Sequence, residues 1–197
     1  MPVVRETCIA LLRGVNVGGN HKLPMATLTA IVRDVGGEDV ATYIQSGNVV
    51  YRVARAEVSA SGVAIARAIE RRCGFPAPVI VRTARELSAV VRANPYATPG
   101  VDPKTLHVVF LANAASAAQV AALDAKRSPA DALTAVKREI FLHCPNGIGQ
   151  SKFTNAYFDS VLTTTTTARN WNTVQALLAL ASGETPVRPA RASSRSR

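Results

Sequence analysis

The sequence predicts an α+β protein built from two ferredoxin-like repeats (β-α-β-β-α-β) that pack together, plus a C-terminal helix. Two observations predict this fold class. Short apolar or β-rich runs alternate with amphipathic helical segments, as in split β-α-β units. The order of segments in residues 5–82 then recurs in residues 105–182. The composition is that of a globular chain, since 48% of the 197 residues are hydrophobic and 18% are charged.

The first repeat begins with residues 7–13, an apolar run typical of a buried strand. Pro24 marks the start of a helix, because its fixed φ suits the first helical position, and Gly36 marks the end. Only Ser46 and Gly47 separate two β-rich runs, which predicts a tight hairpin. The two strands of this hairpin, a second helix and a closing strand are predicted at residues 40–45, 48–53, 58–73 and 78–82.

A linker with a short helix over residues 84–92 joins the repeats. Thr83 is predicted to begin this helix, with Glu86 at the capping-box position. The second repeat and a last helix follow at residues 106–111, 117–125, 133–136, 139–144, 151–162, 163–167 and 172–181. The predicted domain limits are 1–82 for the first repeat, 83–104 for the linker, 105–182 for the second repeat with its C-terminal helix, and 183–197 for a disordered basic tail.

The net charge of +10 raises the question of a polyanionic partner. Part of this charge lies in the tail, where four arginines from Arg188 onward stand against Glu184 alone. Short basic tails carry little specificity. The tail is therefore predicted to be a solubilising terminus rather than a specific contact with nucleic acid.

Three cysteines without CxxC spacing predict neither a disulfide framework nor a metal site. No stretch approaches the roughly 20 apolar residues that span a bilayer. The apolar run near the N-terminus is also too short for a signal sequence. The sequence therefore predicts a cytoplasmic protein with no membrane partner, and it does not specify an oligomeric state.

Polar residues concentrate in loops that the predicted topology brings together. In the first repeat, the loop after the first strand and the hairpin share one end of the sheet, which groups Arg13, Asn16, Gly18, Gly19, Asn20, His21, Lys22, Gln45, Ser46 and Asn48. The corresponding loops of the second repeat group Asn146, Ser151, Lys152, Arg169, Asn170 and Asn172. Each group combines cations and amide side chains at a helix start, and the first adds a run of glycines, which favours binding of an anion.

These loops match no nucleotide-binding motif. GVNVGG lacks the GxGxxG spacing, and GIGQSK lacks the Walker A spacing. A tight strand-to-helix turn explains the glycines of GVNVGG equally well. A structural role is expected for His107 and His143, which lie inside predicted strands, whereas His21 in the glycine-rich loop is the histidine to test. Trp171 is predicted to anchor the last helix, with a stacking platform for a base as the alternative.

Several segments together resemble the bacterial family known as domain of unknown function 1697. They are ALLRGVNVGGNHKLPM, TYIQSGNVVY, PVIVRT, HCPNGIGQSKFTNAYFDSVL and TTARNWNTV, and they cover the chain from about Cys8 to Ala181. The resemblance implies two ferredoxin-like repeats and carries no established activity, cofactor or catalytic residue. Its family-like polar positions are Arg13, Asn16, Gly18, Gly19, Lys22, Gln45, Ser46, Gly47, Asn48, Ser151, Lys152, Arg169, Asn170 and Asn172. The threonine run at 163–167 and the tail depart from the family pattern.

The favoured functional hypothesis is a site for a small anionic ligand, phosphate-bearing or nucleotide-like, in the glycine-rich loops. Whether the protein is an enzyme stays open, because no Ser-His-Asp order or paired-carboxylate motif is present. Nucleic-acid binding is an alternative, since RNA-recognition domains share the β-α-β-β-α-β order. The strands lack the aromatic signature of those domains, with Tyr43 and Tyr51 as a thin substitute. A non-catalytic interaction or regulatory protein is the third hypothesis.

Overall fold

The computed structural model describes residues 3–19 and 21–186, which contain two four-stranded antiparallel sheets and six α-helices. The first half consists of β1 (Arg5–Leu12), α1 (Met25–Asp34), β2 (Glu38–Thr42), β3 (Asn48–Ala54), α2 (Val58–Cys73), β4 (Val79–Thr83) and α3 (Ala84–Ala93). The second half consists of β5 (Leu106–Leu111), α4 (Ala117–Ala121), β6 (Ala132–Val136), β7 (Glu139–His143), α5 (Asn155–Leu162), β8 (Thr166–Asn170) and α6 (Trp171–Ala181). Asn20 and most of the predicted tail, residues 187–197, lie outside the described residues.

The two halves share one order of elements and one order of strands. The first sheet runs β2-β3-β1-β4 and the second runs β6-β7-β5-β8. Leu11 at the end of β1 pairs with Asn48 at the start of β3, so the loop after β1 and the β2–β3 hairpin lie at the same end of the sheet. This confirms the predicted α+β class and the predicted proximity of these two loops.

The molecule has five layers, because α3 and α6 lie between the two sheets. α1 and α2 cover the outer face of the first sheet, and α4 and α5 cover the outer face of the second. The central core joins both sheets through apolar residues such as Ile9, Leu87, Phe110 and Trp171. Trp171 is only 4% exposed, which confirms its predicted role as an apolar anchor.

The linker helix has a counterpart in the second half. α3 follows β4 directly, as α6 follows β8, and the two helices pack against each other in the central layer. Thr83 begins α3 through the predicted capping box with Glu86. Each half therefore ends in an equivalent helix that fills the space between the sheets.

Two predicted boundaries in the second half are wrong. α5 begins later than predicted because Thr154 caps it, with its side chain accepting a hydrogen bond from the Tyr157 backbone N–H at 3.2 Å. Thr163 then ends α5 with a left-handed φ of 49°. β8 consequently starts at Thr166, within the threonine run at 163–167 that was predicted as the strand, and extends to Asn170.

Two further elements are displaced or shorter than expected. β2 ends before Ile44, because a φ of 49° at this residue takes the chain out of the strand ladder. α4 contains only five residues and does not reach the end of the predicted range 117–125. None of the described helices is long and apolar enough to cross a membrane.

The three cysteines are free thiols in different surroundings. Cys8 and Cys144 are fully buried, and burial raises the pKa of Cys8 to about 12 and that of Cys144 to about 11. Cys73 is half-buried at the end of α2. At pH 8 we expect a maleimide to modify Cys73 first, and the other two only after denaturation, because the reacting species is the thiolate. Intact mass over time would show one adduct, and rapid addition of a second adduct to the folded protein would contradict this expectation.

Candidate functional site

The glycine-rich loop after β1 is tied to the hairpin by Asn16. The Asn16 Nδ2 donates to the carbonyl oxygens of Leu23 at 2.9 Å and Gln45 at 2.8 Å. The Asn16 Oδ1 accepts a hydrogen bond from the Leu23 N–H at 2.8 Å. Asn16 adopts a left-handed φ of 56°, which asparagine tolerates better than most residues. Asn16 therefore fixes the loop, and both atoms of its side-chain amide are engaged by the protein.

The hairpin approaches the end of β1 very closely at Gly47. A Cβ at this position would lie 2.5 Å from Val15 Cγ2 and 2.8 Å from Leu12 Cβ. The carbonyl oxygen of Gly47 accepts a hydrogen bond from the Leu12 N–H at 2.8 Å, and its φ is 69°. Only glycine satisfies both requirements, so Gly47 locks the hairpin against the base of the glycine-rich loop.

The tip of the glycine-rich loop is exposed. Gly18 and Gly19 have φ values of 59° and 80°, and a Cβ on either would meet no atom within 4 Å. Their N–H groups donate to no acceptor among the described residues. Lys22 is exposed beside this turn. His21 is engaged elsewhere, since its ring stacks on Phe75 with 4.6 Å between centroids.

Arg13 links the base of the loop to the second half of the molecule. Its guanidinium forms an ion pair with the carboxylate of Asp159 on α5, and both side chains are about three-quarters buried. The other carboxylate oxygen of Asp159 accepts hydrogen bonds from the N–H and the hydroxyl of Thr166, at 2.8 and 2.7 Å. The charge of Arg13 is thus neutralised, and the residue serves to hold the loop in place.

Arg169 lies beneath the hairpin, buried between the two halves. Its Nε donates to the Oδ1 of Asn48, and its Nη2 donates to the carbonyl oxygen of Leu12 at 2.6 Å and that of Gly47 at 3.3 Å. Its Nη1 donates to the Thr167 hydroxyl at 2.8 Å. Arg169 is therefore not an exposed ligand contact, which corrects the role expected for it.

Among the residues that the structure describes, no carboxylate pairs with Arg169. Its partners are carbonyl, amide and hydroxyl oxygens, and burial lowers its pKa to about 10. The guanidinium still carries its charge at neutral pH. All of its donors are occupied by the protein, so Arg169 positions the hairpin and the end of β1 rather than binding an anion itself.

Arg82 is the counterpart of Arg169 in the first half, and the sequence analysis missed it. Each precedes the capping residue after the fourth strand, in PVIVRT and TTARNW. The Arg82 Nε donates to Glu139 Oε1 at 2.8 Å and its Nη2 donates to the Leu111 carbonyl oxygen at 2.7 Å. Glu139 begins β7 as Asn48 begins β3, so each arginine crosses to the equivalent strands of the other half. The shared Arg before a capping residue was the available signal.

The second predicted group of polar loop residues does not form one cluster. The exits of β7 and β8 share an end of the sheet, as expected, because both strands pair with β5. However, Ser128 Oγ accepts the Lys152 N–H at 3.2 Å, and the Lys152 carbonyl accepts Arg127 Nε at 3.1 Å. Within the described residues, no hydrogen bond or ion pair joins Ser151 or Lys152 to Arg169. The reason is that Arg169 points from β8 toward the first half.

Asn170 and Asn172 belong to the start of α6. The Asn170 side chain accepts the Asn172 N–H at 3.0 Å and caps the helix, and its Nδ2 donates to the Lys104 carbonyl oxygen at 3.0 Å. These contacts explain the RNWN pattern structurally. They join α6 to the segment before β5, and no hydrogen bond within the described residues joins either asparagine to the glycine-rich loop.

Comparison with known proteins identifies the family. The model of the family described as "Protein of unknown function (DUF1697)" matches residues 5–141, more than half of the chain. The chain belongs to this family. It is similar in fold to the conserved bacterial protein SP0830 from Streptococcus pneumoniae, with a TM-score of 0.67 and 21% identity over 90% of this chain and 99% of that one. The search of curated proteins found no match.

The range matched in this DUF1697 chain includes the glycine-rich loop, the hairpin and Arg82, whereas Arg169 follows it. Among residues 3–19 and 21–186, no three His, Cys, Asp or Glu side chains are placed to hold a metal ion together. His107 is buried in β5, and burial lowers its pKa, which favours the neutral imidazole. The exposed candidates at the loop and hairpin are Gly18, Gly19, Lys22, Gln45 and Ser46.

Proposed function

We propose that the glycine-rich loop of the first half binds a small anionic ligand that carries phosphate, such as a nucleotide. The observation that carries the proposal is the exposed turn at Gly18 and Gly19, whose N–H groups are unpaired within the described residues. Backbone N–H groups in left-handed turns form anion-binding concavities. Lys22 is exposed beside them and supplies a full positive charge.

The start of α1 adds to the positive potential at this turn. The first turn of α1 has no acidic residue, and Pro24 provides no side-chain cap. The N–H groups of a first helical turn have no partner within the helix and carry partial positive charge. Because α1 follows the loop directly, the helix end, the glycines and Lys22 act from one loop–helix junction on one ligand.

The buried residues below the loop make it rigid before a ligand arrives. Asn16 ties the loop to Gln45, Arg13 ties its base to Asp159, and Arg169 holds the hairpin. A loop that is already ordered loses less conformational freedom on binding. In this proposal Gly18, Gly19, Lys22, Gln45 and Ser46 contact the ligand, whereas Arg13, Asn16, Asn48 and Arg169 are positioning residues.

The test is a thermal-unfolding screen followed by the fluorescence of the buried Trp171. The probes are inorganic phosphate, nucleotides and sugar phosphates, each at two salt concentrations. A probe held at about 100 times its dissociation constant adds roughly 2.7 kcal/mol of stability, which raises Tm measurably. We expect at least one phosphate-bearing probe to raise Tm at both salt concentrations.

Two lysine variants then locate the site. Lys22→Ala removes the charge beside the turn and is expected to weaken the Tm shift strongly. Lys152→Ala makes the same change of charge in the second half and is expected to keep the shift, because the backbone of Lys152 is held there by Ser128 and Arg127 and not by the glycine-rich loop. The proposal fails if no phosphate-bearing probe shifts Tm, or if Lys22→Ala retains the full shift.

A second candidate function, nucleic-acid binding, has an observation of its own. The Arg127 guanidinium lies 4.4 Å from the centre of the Tyr157 ring, and Lys126 and Lys152 are exposed on the same loops. Basic and aromatic side chains together are typical of single-strand binding. Short DNA and RNA in the same screen test it: stabilisation that disappears at the higher salt and in Arg127→Ala would favour this function.

We also propose the finer assignment of the fold, in which each half is a ferredoxin-like repeat. The shared element order and strand order support it. The proposed division of the chain is a first repeat at 1–82, a linker at 83–104, a second repeat at 105–182 and a tail at 183–197. We propose a cytoplasmic location because the three cysteines of the chain are free rather than joined in disulfides.

A further inference from the structure

β4 presents an unpaired edge. It is the last strand of the first sheet, and within the described part of the chain it pairs with β1 alone. The carbonyl oxygen of Pro78 accepts the Arg13 N–H at 2.9 Å on the β1 side. Backbone groups alternate in direction along a strand, so those of Val79 and Val81 point away from β1. Among the described residues, only the Val81 carbonyl oxygen has a partner there, Arg82 Nη1 at 3.0 Å.

The equivalent edge in the second half is covered. Asp159 is the fifth residue of α5, and its carboxylate accepts the N–H of Thr166, the first residue of β8. The fifth residue of α2 is Gly62, which has no side chain to reach Val79, the first residue of β4. A carboxylate thus covers the backbone N–H of the first residue at the edge of β8, whereas α2 offers no such side chain at the edge of β4. An exposed edge strand can pair with another chain, and proteins usually cover or block such edges. An uncovered edge therefore indicates a position where another segment can bind.

A groove runs along the unpaired edge of β4. It has a volume of about 550 Å³ between α2, β4 and the end of β5, and continues past Gly62 and Val63 into a stretch of about 290 Å³. Val63 stands in the groove with 54% of its surface exposed, although it is a large apolar residue. A Cβ on Gly62 would lie 3.1 Å from Val81 Cγ2 and 3.3 Å from the Val79 carbonyl oxygen, so glycine lets α2 approach β4 closely without a side chain beside that oxygen.

The charge of the groove indicates what kind of segment fits it. Two of the four arginines that line its two stretches, Arg82 and Arg138, are already paired with glutamates. The other two, Arg55 and Arg67, are exposed, and Glu70 is the acidic residue beside them. Arg55 has 73% of its side chain exposed and only a 3.6 Å contact with Glu6. Arg67, on α2, is exposed as well. Both lie on the α2 side of the groove, on either side of Val63, where acidic side chains of a bound segment would meet them.

We propose that an extended, acidic segment of a partner protein pairs with β4 as a fifth strand of the first sheet. Its backbone forms hydrogen bonds with the N–H and C=O of Val79 and the N–H of Val81. A small apolar side chain of the segment packs on Val63, and acidic side chains on the same face meet Arg55 and Arg67. Strand addition supplies affinity through the main chain, whereas Val63 and the arginines supply specificity.

The experiment is selection of a random ten-residue peptide library against the full chain, followed by binding and hydrogen-exchange measurements on the enriched peptides. We expect enriched peptides to be acidic and rich in β-branched residues. Binding is expected to slow exchange of the Val79 and Val81 amides. Val63→Glu and the double variant Arg55→Glu, Arg67→Glu are each expected to weaken binding by about tenfold or more. Arg33→Glu on α1 is the matched control and is expected to bind normally.

A covering variant tests strand addition itself. Gly62→Asp places a carboxylate where Asp159 lies in the second half and is expected to abolish peptide binding; Val63→Glu provides the same test on the surface if Gly62→Asp fails to fold. The proposal is overturned if no acidic peptide is enriched, if bound peptides leave the two amides unprotected, or if Val63→Glu binds normally. It is also overturned if the chain forms dimers that Val63→Glu dissociates, because a second copy would then occupy β4.

Discussion

Replacing Arg82 by alanine is expected to lower the free energy of unfolding by about 3–5 kcal/mol, because it leaves a buried carboxylate without its counter-charge. Arg82 is 1% exposed and Glu139 is 8% exposed, and they pair at 2.8 Å. The Leu111 carbonyl oxygen loses its donor in the same variant. Since domains are stable by about 5–15 kcal/mol in total, this single change removes a large part of the margin.

Urea denaturation of three variants measures this effect. Glu139→Gln removes the charge but keeps an acceptor oxygen for Arg82, so we expect a smaller loss than for Arg82→Ala. Arg138→Ala is the matched control, because Arg138 pairs with the partly exposed Glu86 at 2.6 Å and such pairs contribute about 0–1 kcal/mol. If Arg82→Ala destabilises the protein no more than Arg138→Ala, the buried pair does not hold the halves together.

The second large effect is expected for Arg169→Ala, with a loss of about 3 kcal/mol or more in the free energy of unfolding. The substitution leaves the carbonyl oxygen of Leu12 and the Oδ1 of Asn48 without their donor, whereas the Gly47 carbonyl oxygen keeps its hydrogen bond from the Leu12 N–H. Each buried polar group that loses its partner costs about 1–3 kcal/mol. The freed hairpin also no longer supports the glycine-rich loop, so phosphate-bearing probes are expected to bind more weakly.

Arg169→Lys separates charge from geometry in this position. Lysine keeps the positive charge but lacks the planar fork that reaches several acceptors, so we expect an intermediate loss of stability. The measurements are urea denaturation and the Tm shift with the best phosphate-bearing probe. If Arg169→Ala unfolds at the same urea concentration as the original protein yet loses the probe, then Arg169 contacts the ligand and is not a positioning residue.

The local pattern of apolar residues along the sequence was sufficient to predict most helices and strands of this fold. The helix predicted at 58–73 and the strand predicted at 106–111 coincide with α2 and β5, because the spacing of apolar residues marks both and Gly74 ends the helix. The threonine run at 163–167 misled the prediction. Threonine has high β propensity, but a left-handed φ at Thr163 and the cap at Thr154 set the actual limits of α5.

The sequence was sufficient to predict the contacts of the candidate site within the first half, but not those between the two halves. Strand order places the glycine-rich loop beside the hairpin, and the hydrogen bond from Asn16 to Gln45 confirms that expectation. The contact between Arg169 and Asn48 spans 121 residues and depends on how the two sheets stack around α3 and α6. No local pattern encodes that stacking. Arg82 escaped notice for the same reason, since its partner Glu139 lies in the other half.

The reciprocal arginines have a consequence for how the two halves can diverge. In a symmetric dimer of identical chains, every substitution appears at both equivalent positions. Here a single polypeptide carries both equivalent positions, so each can change independently of the other. A glutamate accepts the hydrogen bond of one arginine, and an asparagine accepts that of the other. Asp159 and Gly62 differ in the same way. Covalent linkage therefore permits the two sheet edges to differ: a carboxylate covers the first residue of β8, whereas β4 keeps the edge to which we propose that a partner segment binds.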